Sequence, residues 1–325
     1  MTPIFEIILE SEGGKDLTAL IADRLISMTI TDEVELSSDR LEIVLDDRDM
    51  ALAVPAHGAT LAVSLAAQKG QAMTPVGRFV VNSVSLSGPN RTLTIEGNAA
   101  DLADTKATGL RSAKTRNHGN ITLGALTRKI ASEHGMKAAI APDLARVAFT
   151  RLAQRAESDL HLITRLARGV DAIAKPVDGV LTVVAKGAVT TASGRDMPAV
   201  KVAVDQASNW QWRTTDRDRD RSVSVRWRDT KAGRTHVIVL GAGEPKRDLR
   251  RLYASEAEAR AAGEAVLKQG GRGQSLELSI AGFGAGLFAG GLMALSDAHP
   301  RVDGQWHLKR VEHRLTGALT TSSER

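Results

Sequence analysis

Residues 154–168 read QRAESDLHLITRLAR, and this run decides how the middle of the chain folds. Ser158 can accept a hydrogen bond from the first turn of a helix, and Asp159 then stands against the positive end of the helix dipole. Leu160, Ile163, Leu166 or Ala167, and Val170 recur at helical spacing, so they form one apolar stripe. Arg165 and Arg168 lie near the far end, where cations are favoured, and Gly169 begins the termination. The spacing predicts an amphipathic helix that starts at Ser158. Upstream, Leu123, Leu126 and Ile130 mark another helix, which Gly135 ends, and downstream residues 179–187, GVLTVVAKG, read as a strand.

Working outward, periodicity changes from 3.6 to 2 on both sides. The first hundred residues hold six short strand-like runs, FEIIL, MTITDEVEL, RLEIVLDD, TLAVSLAA, GRFVVNSVSLS and RTLTIEG. Gly13-Gly14, Pro55, Gly58, Gly70 and Gly88-Pro89-Asn90 punctuate them, which suggests a small closed or nearly closed barrel. The second half returns to strands at PAVKVAV, RSVSVRW, THVIVL, SLELSIAG and WHLKRVEHRL. One alanine-rich helix interrupts them at about 256–268, with Ser255 and Glu258 as a capping box. The expected fold is α+β and β-rich, two small β-barrel domains around a mixed middle domain. The expected boundaries are 1–100, 101–198 and 199–325, with an inserted segment at about 213–274 packed on the middle domain.

Composition narrows the function more by exclusion than by signal. The chain has 325 residues, enough for two or three domains, and no cysteine, which removes disulfides, thiolate zinc sites and cysteine nucleophiles together. The start, MTPIFEIILESEGG, lacks a basic n-region, so folding in the cytoplasm is expected. Residues 1–100 hold 7 Lys or Arg against 14 Asp or Glu, a balance of −7, and the rest, 36 against 24, carries +12. A basic block can serve nucleic acid, but these arginines are interleaved with acids, and aromatics make up only 3% of the chain. Charge complementarity between neighbouring subunits is the better use, with Asp46, Asp47 and Asp49 as candidate inter-subunit charges.

Each motif that might carry chemistry has a specific defect. Leu278–Leu295 has no charged residue over 18 positions, but glycines at 282, 284, 286, 290 and 291 favour strands and turns over a membrane helix, so no membrane insertion is expected. Those glycines do not give GxGxxG, and no GK[ST] follows. The run Asp216–Arg221, DRDRDR, resembles the start of a calcium loop, yet Arg221 stands where glycine is needed and Trp227 where the closing glutamate belongs. The histidines at 57, 118, 134, 161, 236, 299, 307 and 313 form no HExxH or other close ligand pair, and no GxSxG elbow exists. No catalytic residue, cofactor or metal is expected.

From about residue 75 to 320 the chain resembles the phage late control D family of tail baseplate hub proteins. The most specific match is Q-x-x-E-S-D followed by a hydrophobic helix ending in R-L-A, carried by Gln154, Glu157, Ser158, Asp159, Arg165, Leu166 and Ala167. GLRSAKTR, Thr122-Leu123 with Leu126, Trp210, Trp212, the DRDR run and the ending Trp306–Leu315 follow in the family's order, with Trp306 and His313 as markers. One departure is His161-Leu162-Ile163, where a pair of large apolar residues is usual. The resemblance implies a fold similar to contractile-tail hubs and to the N-terminal part of VgrG spikes of type VI secretion. It also implies a non-enzymatic homotrimer whose six barrels let a threefold central spike trimer mate with a sixfold tail tube. Implied partners are that spike, the tube or a tube-initiator protein, the tape-measure protein and other baseplate proteins. The genome would pass through the channel without specific binding, and the place of action would be the virion tail baseplate or a tail-like particle. The family name raises a DNA-binding regulator of late transcription as an alternative, and a tail-tip cell-wall hydrolase is another. The chain shows neither a helix-turn-helix nor an identifiable catalytic pair.

Overall fold

In the strand Arg40–Asp46, Leu41, Ile43 and Leu45 point into a core while the residues between them are more exposed, the alternation expected of a half-buried strand. A computed structural model describes residues 4–34, 39–100, 110–177, 179–191, 195–214, 220–270 and 273–324. The calcium-like acids Asp216 and Asp218, with Arg217 and Arg219, lie outside the described residues, as does Gly109 of GLRSAKTR. The chain divides into two compact units, one of residues 1–104, 198–212 and 276–325, the other of 105–197 and 213–275.

The first unit is built on an eleven-stranded sheet. From the short edge strand Lys15–Asp16 its order runs through Phe5–Leu9, Thr60–Leu65, Thr74–Ser87, Thr92–Ala99, Arg40–Asp46 and Leu25–Glu33. Leu25–Glu33 then pairs antiparallel with Arg310–Thr316, and Ala318–Glu324, Gln274–Ala281 and Ala207–Thr214 complete the order. Strands from the two ends of the sequence therefore share one hydrogen-bonded sheet. Their apolar side chains nevertheless fill two separate cores. One is formed mainly by residues 5–95 with Leu315 and Leu319, the other by Val202 and residues between Leu276 and Val311, including Trp306.

Leu278–Leu295 completes a strand that ends at Ala281, passes through turns, and enters the strand Leu292–Ser296. Gly282, Gly286 and Gly290 sit at φ of 97°, 84° and 88°, a region costly for other residues, so a continuous helix is excluded there. Among the described residues no helix is long and apolar enough to cross a membrane.

In the second unit, the helices Leu123–Glu133 and Asp159–Gly169 pack on a three-stranded sheet of Lys137–Ile140, Val180–Ala185 and Ala172–Val177. Leu160, Ile163, Leu166 and Ala167 are buried as the stripe requires; Leu162 is buried too, and Val170 is half-buried. Another sheet, ordered Arg234–Gly241, Ser222–Asp229, Lys246–Tyr253, carries the helix Glu256–Gly270 on one face. Ser255 Oγ accepts from Glu258 N at 3.2 Å, but the Glu258 carboxylate reaches Thr150 N at 3.0 Å, so it ties two segments of the unit together.

Candidate functional site

Gln154–Asp159 forms a buried polar knot in the second unit. The strand Ala153–Ser158 runs antiparallel to Ala113–Asn117, and its register shifts between Gln154 and Glu157. Ala156 takes up the extra residue at φ 48°, and its N–H donates to Thr115 Oγ1 at 3.3 Å. The bulge aims Gln154 inward, and the chain then turns into the helix at Ser158, whose Oγ accepts from His161 N at 3.1 Å. Asp159, the first helical residue, is fully buried.

Four donors converge on the Asp159 carboxylate. Lys114 Nζ is at 2.6 Å, His134 Nε2 at 2.9 Å and Gln154 Nε2 at 2.8 Å, and Arg116 completes the set. Burial on its own would raise the Asp159 pKa, but the bonds from Lys114, His134, Gln154 and Arg116 outweigh it and hold the carboxyl well below the usual range. Gln154 is equally buried and uses both ends of its amide. Its Oε1 accepts from Arg116 Nε at 3.0 Å and faces His118 Nε2 at 3.3 Å, and its Nε2 also donates to Glu157 O at 2.9 Å. Glu133 binds Arg116 at 2.7 Å, which holds its pKa down against a smaller effect of burial. Glu157 pairs with Arg165 and lies 3.1 Å from His161 Nδ1.

This arrangement locks a bulge, a helix start and two strands together and leaves the carboxylate no capacity for chemistry. Glu133, His134 and Asp159 offer ligand atoms within 4.8 Å of one another, the spacing of a metal site. Lys114 and Arg116 already neutralise both carboxylates there, so a dication would meet two cations. Beside the knot lies an open surface groove with Arg111, Arg155, His161 and Arg165 on its walls.

The remaining sequence-selected residues lie elsewhere. Leu166 is buried. Trp306 is buried in the first unit with its indole N–H donated to Val302 O at 2.7 Å. His313 sits in the strand that joins Leu25–Glu33, with Nδ1 at 3.0 Å from Thr321 Oγ1 and its ring edge-on to Phe283. Burial pushes its pKa down to about 4, against an opposing pull from Asp32. Asp49 is clamped by both terminal nitrogens of Arg24 at 2.6 Å, which lowers its pKa; Asp46 pairs with Arg48 at 2.5 Å. Asp47 is buried and accepts from Leu52 N at 3.1 Å. Lys114, Arg116 and His134 were not singled out in the sequence as site residues. Alternation of Lys114 and Arg116 on one face of the strand Ala113–Asn117 was the available signal.

Over 231 residues, 71% of its length, the chain is 32% identical to the probable baseplate hub protein of Escherichia phage P2. Over that stretch the chain is similar to phage baseplate hub proteins. The probable hub protein of Escherichia phage 186 matches at the same identity and extent. The chain spans 58% and 57% of the length of these two relatives. No protein-family model matches it. Among solved structures, a 43 kDa tail protein of a Shewanella oneidensis prophage superposes with a TM-score of 0.70 at 16% identity, covering 98% of this chain and 97% of that one. A tail protein of Neisseria meningitidis gives 0.71 at 14% identity over 99% and 95%. A component of the Escherichia coli type VI secretion system, described as similar to T4 tail proteins gp27 and gp5, gives 0.56 at 14% over 93% and 73%. At these identities the structures show a shared fold.

Proposed function

We propose that the chain is a structural hub of a contractile tail's baseplate, a trimer that adapts a sixfold tube to a threefold spike. The observation that carries the reading is the 32% identity to hub proteins over 231 residues, in a chain with the fold of tail proteins. The knot around Asp159 supports a non-enzymatic role, because every polar group of the family-like motif is spent on holding the fold. Two apolar cores on one sheet support two barrel-like halves per chain, so that three copies present six related elements in a ring. The spike, the tube or tube-initiator protein, the tape-measure protein and other baseplate proteins are the partners this role requires, at the tail baseplate of a virion or tail-like particle assembled in the bacterial cytoplasm.

Charge then selects the partner surface. The −7 of residues 1–100 would face the +12 of the remainder in a neighbouring copy, a heterologous contact made three times per ring. Asp46 and Asp49 are the accessible acids for this, each already half-neutralised by Arg48 or Arg24, whereas reversal of buried Asp47 would test folding instead. Sedimentation of the purified chain tests the reading. A trimer that loosens as salt rises to ~0.5 M, where exposed pairs are screened, is the expected result. A monomer at all concentrations, or duplex DNA binding with a steep salt dependence, would contradict it.

A further inference from the structure

We infer that the open face of the three-stranded sheet 222–253 docks against the acidic first hundred residues of a second copy of this chain; the inference rests on the trimeric reading above. The helix Glu256–Gly270 covers only one face of that sheet, where Val223, Val225 and Ala259 are buried together. Cross-strand register places Val237 opposite Arg226, and Arg226 opposite Leu252 on the far strand, so these form one row across the other face; Val239, opposite Ser224, begins the next. Val237, Val239 and Leu252 are 60%, 53% and 51% exposed. Scattered exposed aliphatics need no explanation, but Val237 and Val239 on one outer strand and Leu252 on the other flank Arg226 on one face that the helix leaves uncovered.

The charges around this patch say what covers it. Segment 220–253 holds 9 Lys or Arg against 4 Asp or Glu, a balance of +5. Arg226 donates only to Arg250 O at 3.5 Å and Arg228 only to Thr235 Oγ1 at 3.2 Å, and among the described residues no carboxylate pairs with either. Asp229 on the same strand is spent on its turn, accepting from Lys231 N and Ala232 N. The face therefore offers unneutralised guanidiniums on its central strand flanked by exposed aliphatics on both outer strands, which fits an acidic surface with apolar gaps. The chain's own first hundred residues supply one at −7. Three aliphatic side chains are a fraction of the ~1,200–2,000 Å² a stable contact buries, so the face is one part of the subunit interface, repeated at each copy.

The test uses the full chain. Val237→Glu with Val239→Glu should leave secondary structure unchanged, since both side chains are exposed, and should raise the trimer dissociation constant at least tenfold in sedimentation. A photo-cross-linking residue at 239 in a tagged copy, mixed with untagged chain, should give adducts between copies that map to residues 1–100. A wild-type trimer indifferent to the double substitution would overturn the surface assignment alone. Adducts mapping to residues 101–325 or to another tail protein, or no adducts between copies, would do the same. A wild-type chain that stays monomeric would overturn the trimeric reading and this assignment with it.

Discussion

Replacing Asp159 with Asn removes one negative charge from a fully buried position and keeps the side-chain volume. Lys114 and Arg116, both partly buried, then share only Glu133 as counter-charge, and His134 and Gln154 face an amide that can accept through one oxygen only. Breaking a buried charge pair by removing one partner costs ~3–5 kcal/mol. Against the ~5–15 kcal/mol that holds a typical domain folded, such a loss should be felt throughout the second unit. Hydrogen exchange read by mass spectrometry gives the local value, because two compact units need not unfold as one transition. Peptides covering 159–169 should exchange faster by ~100-fold or more in the variant, since each 1.4 kcal/mol is a factor of ten. Removing the cap alone, Ser158→Ala, should cost only ~1 kcal/mol. Because the folded-state pKa of Asp159 is depressed, its contribution is present above the ordinary carboxylate value of 3.8 and is lost as pH falls through the folded value. A change below threefold in Asp159→Asn, at neutral pH, would refute the idea that the knot organises this unit.

Leu166→Ala should destabilise the second unit by ~2–5 kcal/mol, read as the shift in its urea midpoint at constant slope; a silent substitution would mean that the helix packs differently. Gly263 faces the sheet so closely that an added Cβ would lie 2.6 Å from Leu240 Cδ1 and 2.8 Å from Val225 Cγ2. Gly263→Leu should therefore cost ~1–3 kcal/mol by overpacking despite its higher helix propensity, and a gain in melting temperature would contradict the packing. His313 titrates at 6.5 when unfolded and at about 4 when buried, so the folded state favours its neutral form. Its contribution is full above pH 6.5 and falls by up to about 3 kcal/mol as pH drops to 4, a slope that His313→Gln should flatten in denaturant titrations of the first unit.

Most of the strands were legible because one face of each is buried and the other is not, so Leu41, Ile43 and Leu45 announce themselves at period two. The cap at Ser158 and the stripe from Leu160 to Leu166 were legible for the same local reason at period 3.6. What escaped is everything decided at long range. Asp159 reads locally only as a residue favoured by the helix dipole, and its burial depends on Lys114, Arg116 and His134, between 25 and 45 positions away. Likewise, no periodicity tells that Arg310–Thr316 pairs with Leu25–Glu33 and so joins strands from opposite ends of the sequence. Glu258 stands three residues after its cap as a capping box requires, yet its carboxylate goes to Thr150, because a tertiary partner outcompeted the local one. Gly263 in the alanine-rich helix carries no local signal of its role either, because the need for a missing Cβ is set by Leu240 and Val225 on the sheet.

Electron cryomicroscopy of tail particles assembled with this chain fused to a small rigid marker tests the central claim most directly. The hub reading predicts marker density at one end of the tail, in three copies per particle, between the last tube ring and the spike. Marker repeated along the tube, or tails complete without it, would contradict that reading.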